Sequence, residues 1–269
     1  MPELPELETI KNSLKSLITG AEIKHIEIKR EDVVRLNHYN PEEALERKIV
    51  EVGRRGKFLI LKLEDNYNII LHLGMSGRFF IVEEGVGLDE PHIHGTFYLD
   101  NGKKLIFKDP RRFGGIWFAK DLDNFFVRMG KEPLTEEFTP EYLKKIFKNR
   151  KTAVKNLLLD QSLIAGIGNI YADEALFAAG IRPDRKAYSF KDRELEVLCE
   201  AVKEVLKRGI EERGTTFRDY RDGYGREGNF QNFLNVYGRE GMPCRRCGTG
   251  IVRKKIGGRS SFFCPNCQD

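Results

Sequence analysis

Three things are scarce in this chain, and each excludes a class of protein. It has no long apolar run: stretches such as Phe58-Leu-Ile-Leu61 fall far short of the ~20 residues that a membrane-crossing helix needs. No apolar signal core follows the N-terminus, so a cytosolic protein is expected. Cysteine is rare. Of five residues, four form two CxxC pairs and Cys199 stands alone in a helical pattern. That usage fits a metal site and not the disulfide framework of a secreted domain. Internal repeats and low-complexity tracts are also missing. What remains is an ordinary soluble mix, 40% hydrophobic and 32% charged over 269 residues, long enough for two domains with sizeable cores. The net charge of +5 and pI of 8.8 are compatible with a nucleic-acid partner without requiring one.

The N-terminus, Met1-Pro2-Glu3, carries chemistry of its own. Proline at position 2 permits removal of Met1, leaving a secondary amine with Glu3 beside it. An α-amino group has a pKa of about 8, so part of it is neutral near pH 7. Leu4-Pro5-Glu6-Leu7-Glu8 reads as a helix entrance, with apolar residues following at Leu7, Ile10, Leu14 and Leu17 and a stop at Gly20. The positive end of that helix would lower the amine pKa further. A nucleophilic amine beside an acid suits imine chemistry at an aldehyde-level carbon.

Seven short strand patterns follow: Ile23–Ile28, Phe58–Leu63, 68–73, 77–82, 95–99, 104–108 and Gly115–Ala119, with Asn101-Gly102 as a hairpin signal. They predict a β-sandwich or barrel with the first helix against it. Residues 121–134 read as a connector. Helices are predicted over Pro140–Phe147, 153–159, 170–179 and 190–208, the last with Ser189 and Asp192 as an acidic capping box. Residues 213–229, rich in glycine, arginine and tyrosine, read as a mobile loop.

The strongest motif is Cys244-x-x-Cys247, sixteen residues, then Cys264-x-x-Cys267. Four thiolates at this spacing predict one closed, structural zinc site on a hairpin that turns at Gly257-Gly258; a redox dithiol is the competing reading. Basic residues around it, from Arg239 to Arg259, would meet phosphate or merely water. Gly166-Ile167-Gly168-Asn169 joins two helices, with Asn169 as the expected N-cap and an anion site at the free amides; Arg150, Lys151 and Lys155 lie nearby in sequence. In the β region, Lys57 closes the basic stretch Arg54-Arg55-Gly56-Lys57, and Met75 sits in the turn His72–Gly77. In Asp109–Gly115, an extended backbone would point Arg111 and Phe113 the same way, suiting a wedge into a base stack. His92 and His94 have no third partner at metal-ligand spacing, which favours a phosphate contact or a surface pair.

Taken in order, Pro2-Glu3-Leu4-Pro5-Glu6, Lys57, His72–Gly77, Asp109–Gly114, Gly166–Tyr171, Gly214-Thr215-Thr216, Val236–Arg239 and the CxxC pairs enclosing Arg259 resemble the bacterial formamidopyrimidine-DNA glycosylase family, also called 8-oxoguanine DNA glycosylase, over essentially the whole chain. The resemblance implies an α+β multidomain fold. Residues 1–120 would be an N-terminal β-sandwich with an N-terminal helix, and 121–134 a linker. Residues 135–234 would be a helix–two-turn–helix domain with a lesion-capping loop, and 235–269 a zinc-ribbon finger. DNA would lie between the two main domains. Pro2 would attack C1′, Glu3 would open the sugar, and Lys57 and Arg259 would donate protons for β- and δ-elimination. His72, His92, Arg111 and Arg150 would contact DNA. Asn169 would bind phosphate, and Met75, Arg111 and Phe113 would fill the void left by the flipped base. Arg150 stands where relatives often have lysine. The implied partner is damaged double-stranded DNA. A monomer is expected, with no membrane and no organic cofactor.

Two rivals stand beside this reading. An endonuclease VIII-like enzyme for oxidised pyrimidines shares the N-terminal proline, the acid and the double turn. The leucine in Pro2-Glu3-Leu4-Pro5-Glu6 and the run Arg111-Arg112-Phe113-Gly114 favour the purine branch. A non-catalytic zinc-ribbon DNA-binding protein would have no use for Pro2.

Overall fold

The structure, a computed structural model, describes residues 1–87 and 90–269, with only the backbone described at 36 and 37. The chain forms two compact units, Met1–Arg128 with Glu212–Gln231, and Met129–Glu211 with Asn232–Asp269.

The first unit begins with α1, Leu4–Ile18. Glu3 caps it, and Glu6 returns its carboxylate to the Glu3 amide at 2.8 Å, closing a capping box. Leu7, Ile10, Leu14 and Ile18 form its fully buried stripe, each contributing roughly 1.5–3 kcal/mol by leaving water. Nine strands follow: β1 Ile23–Ile28, β2 Val34–Asn37, β3 Ile49–Arg55, β4 Phe58–Leu63, β5 Asn68–His72, β6 Arg78–Glu83, β7 Ile93–Leu99, β8 Lys103–Lys108 and β9 Gly115–Ala119. They make a four-stranded sheet, β1-β7-β8-β6, and a five-stranded sheet, β2-β9-β5-β4-β3, in which only the β2–β9 pair is parallel. Alternation decides the faces. Leu59, Leu61, Ile69, Leu71, Ile116 and Phe118 join Phe97, Leu105 and Phe107 and the α1 stripe in one core. Ile60, Ile70 and Trp117 point outward, under Phe125 and Phe126 from the short α2, Leu122–Phe125, and its C-cap.

The seven strands read from the sequence are all present. Two more, β2 and β3, were not foreseen. β2 is a four-residue edge strand, and β3 buries only Ile49, Val52 and Gly53 among charged neighbours. The Asn101-Gly102 hairpin joins β7 to β8 as expected.

The second unit contains α3 Pro140–Phe147, α4 Val154–Leu158, α5 Asn169–Ala178, α6 Asp192–Glu211 and the hairpin of β10 Val252–Ile256 with β11 Arg259–Phe263. Helix α5 is buried from Ile170 to Phe177. Helix α6 instead buries one stripe that includes Leu195, Leu198, Val202 and Leu206. The capping box expected at Ser189 does not form. Its hydroxyl donates to the Lys186 carbonyl at 2.8 Å, and Glu194, one turn later, accepts the Lys191 amide instead.

Candidate active site and nucleic-acid contacts

In the first unit the N-terminus is sunk into the protein. Met1 is half exposed, Pro2 is buried and Glu3 is 3% exposed. Glu6 holds this arrangement. One carboxylate oxygen accepts the Glu3 amide at 2.8 Å and the other accepts the Thr215 amide at 2.6 Å. Tyr220 adds donations to the Glu6 carbonyl at 3.4 Å and the Arg213 carbonyl at 3.0 Å. The glycine-rich segment 213–229 is thus tied to the helix start, and Asp222 organises its tip by accepting the Tyr224 and Arg226 amides.

Lys57 follows Gly56, whose φ of +55° makes the β3–β4 turn. Arg54, at the end of β3, pairs with Glu8 of α1 at 2.8 Å, which brings this hairpin against the first turns of the helix. Burial opposes ionisation of Glu8, but hydrogen bonds from Lys11 and Arg54 hold its carboxyl below the usual range. Lys57 itself is only 6% exposed, unlike a lysine in a solvated turn. His72 packs on Phe58 with ring centroids 4.9 Å apart and accepts the Gly74 amide. Burial, and then the Lys57 charge, push its pKa down to about 4.

Asp109 organises the loop for which an extended wedge is expected from the sequence. It is fully buried and accepts from Ser76 Oγ at 2.8 Å, the Gly114 amide at 2.8 Å and the Arg111 amide at 3.3 Å. Residues 109–114 therefore turn instead of extending, and Arg112 has φ +57°, so the alternation argument for Arg111 and Phe113 does not hold. Arg35 clamps the loop through the Gly114 and Arg112 carbonyls. Gly74 abuts it: a Cβ there would lie 2.5 Å from the Gly114 nitrogen. The two loops interlock and hold out apolar tips, Met75 at 45% and Phe113 at 61% exposed. Arg111 is exposed as well. His92 is exposed with φ +71°, whereas His94 is buried and its Nε2 meets the Asp109 carbonyl at 2.9 Å. They are not a surface pair.

In the second unit, α4 and α5 are joined by two tight turns. Asp160 accepts the Ser162 amide in the first. Gln161 spans the second, accepting the Gly166 amide at 2.8 Å and donating to the Ile167 carbonyl at 2.9 Å. The N-cap of α5 is Gly168, one position earlier than expected, and Asn169 is the first helical residue. Asn169 Nδ2 donates to the Ser260 carbonyl at 3.0 Å, which places it next to Arg259 on β11. The Arg259 side chain is exposed.

Lys155 does not join a phosphate site. It is fully buried, paired with Asp173 at 2.7 Å, and donates to the Ser260 carbonyl and Ser261 hydroxyl at 2.9 and 2.8 Å. Asp173 also accepts the Phe262 amide at 2.9 Å. Burial pushes its carboxyl up to about 7 against the pull of Lys155. Glu174 accepts three successive amides, Asn235, Val236 and Tyr237, each at 2.9 Å. Glu6 and Asp109 stand inside motifs that the sequence shows, but their clamping roles, like those of Asp173 and Glu174, were not legible, because Thr215, Ser76, Phe262 and residues 235–237 are remote in the chain.

The sulfurs of Cys244, Cys247, Cys264 and Cys267 lie within 4.8 Å of one another. A tetrahedral zinc with Zn–S bonds of ~2.3 Å requires sulfurs about 3.8 Å apart; the Cys244–Cys267 and Cys247–Cys264 pairs stand at 3.9 and 3.5 Å. The donor set therefore fits a metal. Several basic residues near it are committed locally. Arg246 caps α5 through the Phe177 carbonyl, Arg239 holds the Asn235 carbonyl, and Lys254 pairs with Asp184.

Residues 1–116 match the family model for the formamidopyrimidine-DNA glycosylase N-terminal domain. Residues 129–221 match that for the formamidopyrimidine-DNA glycosylase H2TH domain, and 241–269 that for the zinc finger found in FPG and IleRS. A formamidopyrimidine-DNA glycosylase of Syntrophomonas wolfei is 55% identical over the whole of both chains. The crystal structure of the MutM (Fpg) protein from Thermus thermophilus superposes with a TM-score of 0.89 at 40% identity, covering 99% of this chain and 98% of that one. The Lactococcus lactis Fpg (MutM), solved with DNA containing Fapy-dG, gives a TM-score of 0.90 at 32% identity over 99% of this chain and 100% of that one.

Proposed function

Because this chain belongs to the formamidopyrimidine-DNA glycosylase family, we propose that it removes oxidised purines, 8-oxoguanine and formamidopyrimidines, from duplex DNA and then cuts the strand by β- and δ-elimination. The observation that carries this reading is the buried Pro2–Glu3 end, held by Glu6.

The reaction begins once Met1 has been removed, since with it attached the Pro2 nitrogen is a tertiary amide and cannot attack. The Pro2 amine adds to C1′ and the bond to the base breaks, the base leaving with a proton. Glu3 donates a proton to O4′, the ring opens, and an iminium joins Pro2 to C1′. Loss of a C2′ proton expels the 3′ phosphate, and a second elimination expels the 5′ phosphate. Water finally releases Pro2. Lys57 and Arg259 serve as the proton donors of the two eliminations.

A base must leave the duplex before it can be attacked, at a cost of a few kcal/mol. Met75, Arg111 and Phe113 fill the space it vacates. His72, His92, Arg111 and Arg150 contact DNA, and Asn169 binds phosphate. The four cysteines hold one structural zinc, which stabilises the ribbon that carries Arg259 and takes no part in the reaction. The domain limits at 120, 134 and 234 belong to the same reading, as does a monomer working in a bacterial cytoplasm.

Excision assays on matched duplexes test this. The protein should release 8-oxoguanine well ahead of thymine glycol. The opposite order would move it to the oxidised-pyrimidine branch, and no release of either would remove the enzymatic reading.

A further inference from the structure

Beyond Arg150, the second unit carries a basic edge that the reaction does not use. Segment 150–154 pairs with 185–188: the Tyr188 amide donates to the Arg150 carbonyl at 3.1 Å, the Ala187 amide to the Thr152 carbonyl at 3.0 Å, and the Val154 amide to the Arg185 carbonyl at 2.8 Å. This sets Ala153 opposite Lys186 and brings Lys151 and Lys186 onto neighbouring segments. Lys148, Arg150, Lys151 and Lys186 are all exposed, and none forms an ion pair among the described residues. The nearby acids are already engaged: Asp192 with Lys144 at 2.8 Å, and Glu194 with Arg185 at 2.7 Å. The positive charge is therefore uncompensated. Beside it Tyr188, 58% exposed, stands at a groove of about 340 Å³ floored by Phe147, Phe190 and Leu195.

We propose that Lys148, Lys151, Lys186 and Tyr188 form a docking edge for duplex DNA that grips backbone phosphates without regard to sequence or damage. It rests on the DNA-repair reading for its occupant and adds to it a non-specific holding surface. Charge complementarity argues for a polyanion, because uncompensated cations gain by releasing counterions from phosphates. An exposed tyrosine hydroxyl is a recurring phosphate donor.

The test uses full-length, metal-loaded protein and two 30-base-pair duplexes, one undamaged and one with a central abasic-site analogue. In Lys151→Ala/Lys186→Ala the slope of log K against log salt concentration should become shallower by about two on both duplexes, at about one per lost phosphate contact. The ratio of the two affinities and the turnover at saturating lesion DNA should stay at parent values. Tyr188→Ala should weaken both complexes several-fold with an unchanged slope. An unchanged slope in the double variant, or a loss confined to the damaged duplex, would overturn the proposal. If the parent protein itself shows no preference for the damaged duplex, the repair reading fails instead, and the slope on undamaged DNA still judges the edge.

Discussion

Glu6 accepts one amide from the N-terminus and one from Thr215, more than two hundred residues away in sequence, and Asp109 joins the two apolar-tipped loops by accepting the Ser76 hydroxyl of one and the Gly114 amide of the other. Single buried carboxylates thus hold the N-terminal end and the two loops in position. Glu6→Gln keeps the size but turns one acceptor into a donor facing an amide. Excision should fall at least tenfold, with a smaller loss in cutting a pre-formed abasic site; equal activity to the parent would remove Glu6 from the positioning of Pro2. His72 yields a pH prediction. Its pKa lies at about 4 in the folded protein, against about 6.5 unfolded. Between those values the unfolded chain binds a proton that the native protein does not. Stability is therefore full above pH 6.5 and declines as the pH falls toward 4, by up to about 3 kcal/mol. Denaturant unfolding at pH 8 and pH 5 should show a smaller pH penalty in His72→Asn than in the parent. The motif residues themselves were legible because their types are chemically distinctive. The clamping roles of the carboxylates were not, even where Glu6 and Asp109 lay inside a motif, because an acid in a helix or loop looks alike whether it is solvated or holds a remote group.

Among the elements, the ribbon hairpin was the most legible. Two adjacent glycines with positive φ, Gly257 and Gly258, allow the tight turn that their sequence announces. Strand β3 escaped because its burial is intermittent, and Lys155 was misplaced because a lysine in a basic run looks solvated until its partner is known. The Lys155–Asp173 pair ties α4 and α5 to β11, the strand that begins at Arg259. Lys155→Met should cost about 3–5 kcal/mol, because it strands a buried acid. Lys155→Met/Asp173→Leu should recover much of that loss. Urea midpoints of the parent and both variants check this. Removing metal from the four cysteines should unfold the ribbon, since a structural site supplies folding energy directly. The chelated protein should lose most of its DNA affinity and regain it with added zinc. Retention of full affinity by metal-free protein would contradict that role.

For the molecule as a whole, the order of motifs along the chain was more telling than composition or charge. A modest net charge of +5 would suit many proteins, but an N-terminal proline and acid, a helix-joining double turn and a four-cysteine hairpin in one chain suit few. Borohydride trapping decides whether the Pro2 amine forms the covalent link to DNA. Protein lacking Met1, mixed with an 8-oxoguanine duplex and borohydride, should give a stable adduct, because reduction converts the imine to an amine. Peptide mapping should find the DNA on Pro2, and protein that retains Met1 should give no adduct. An adduct on Lys57 with Pro2 unmodified would rule out the Pro2 imine and make the protein a lysine-imine lyase.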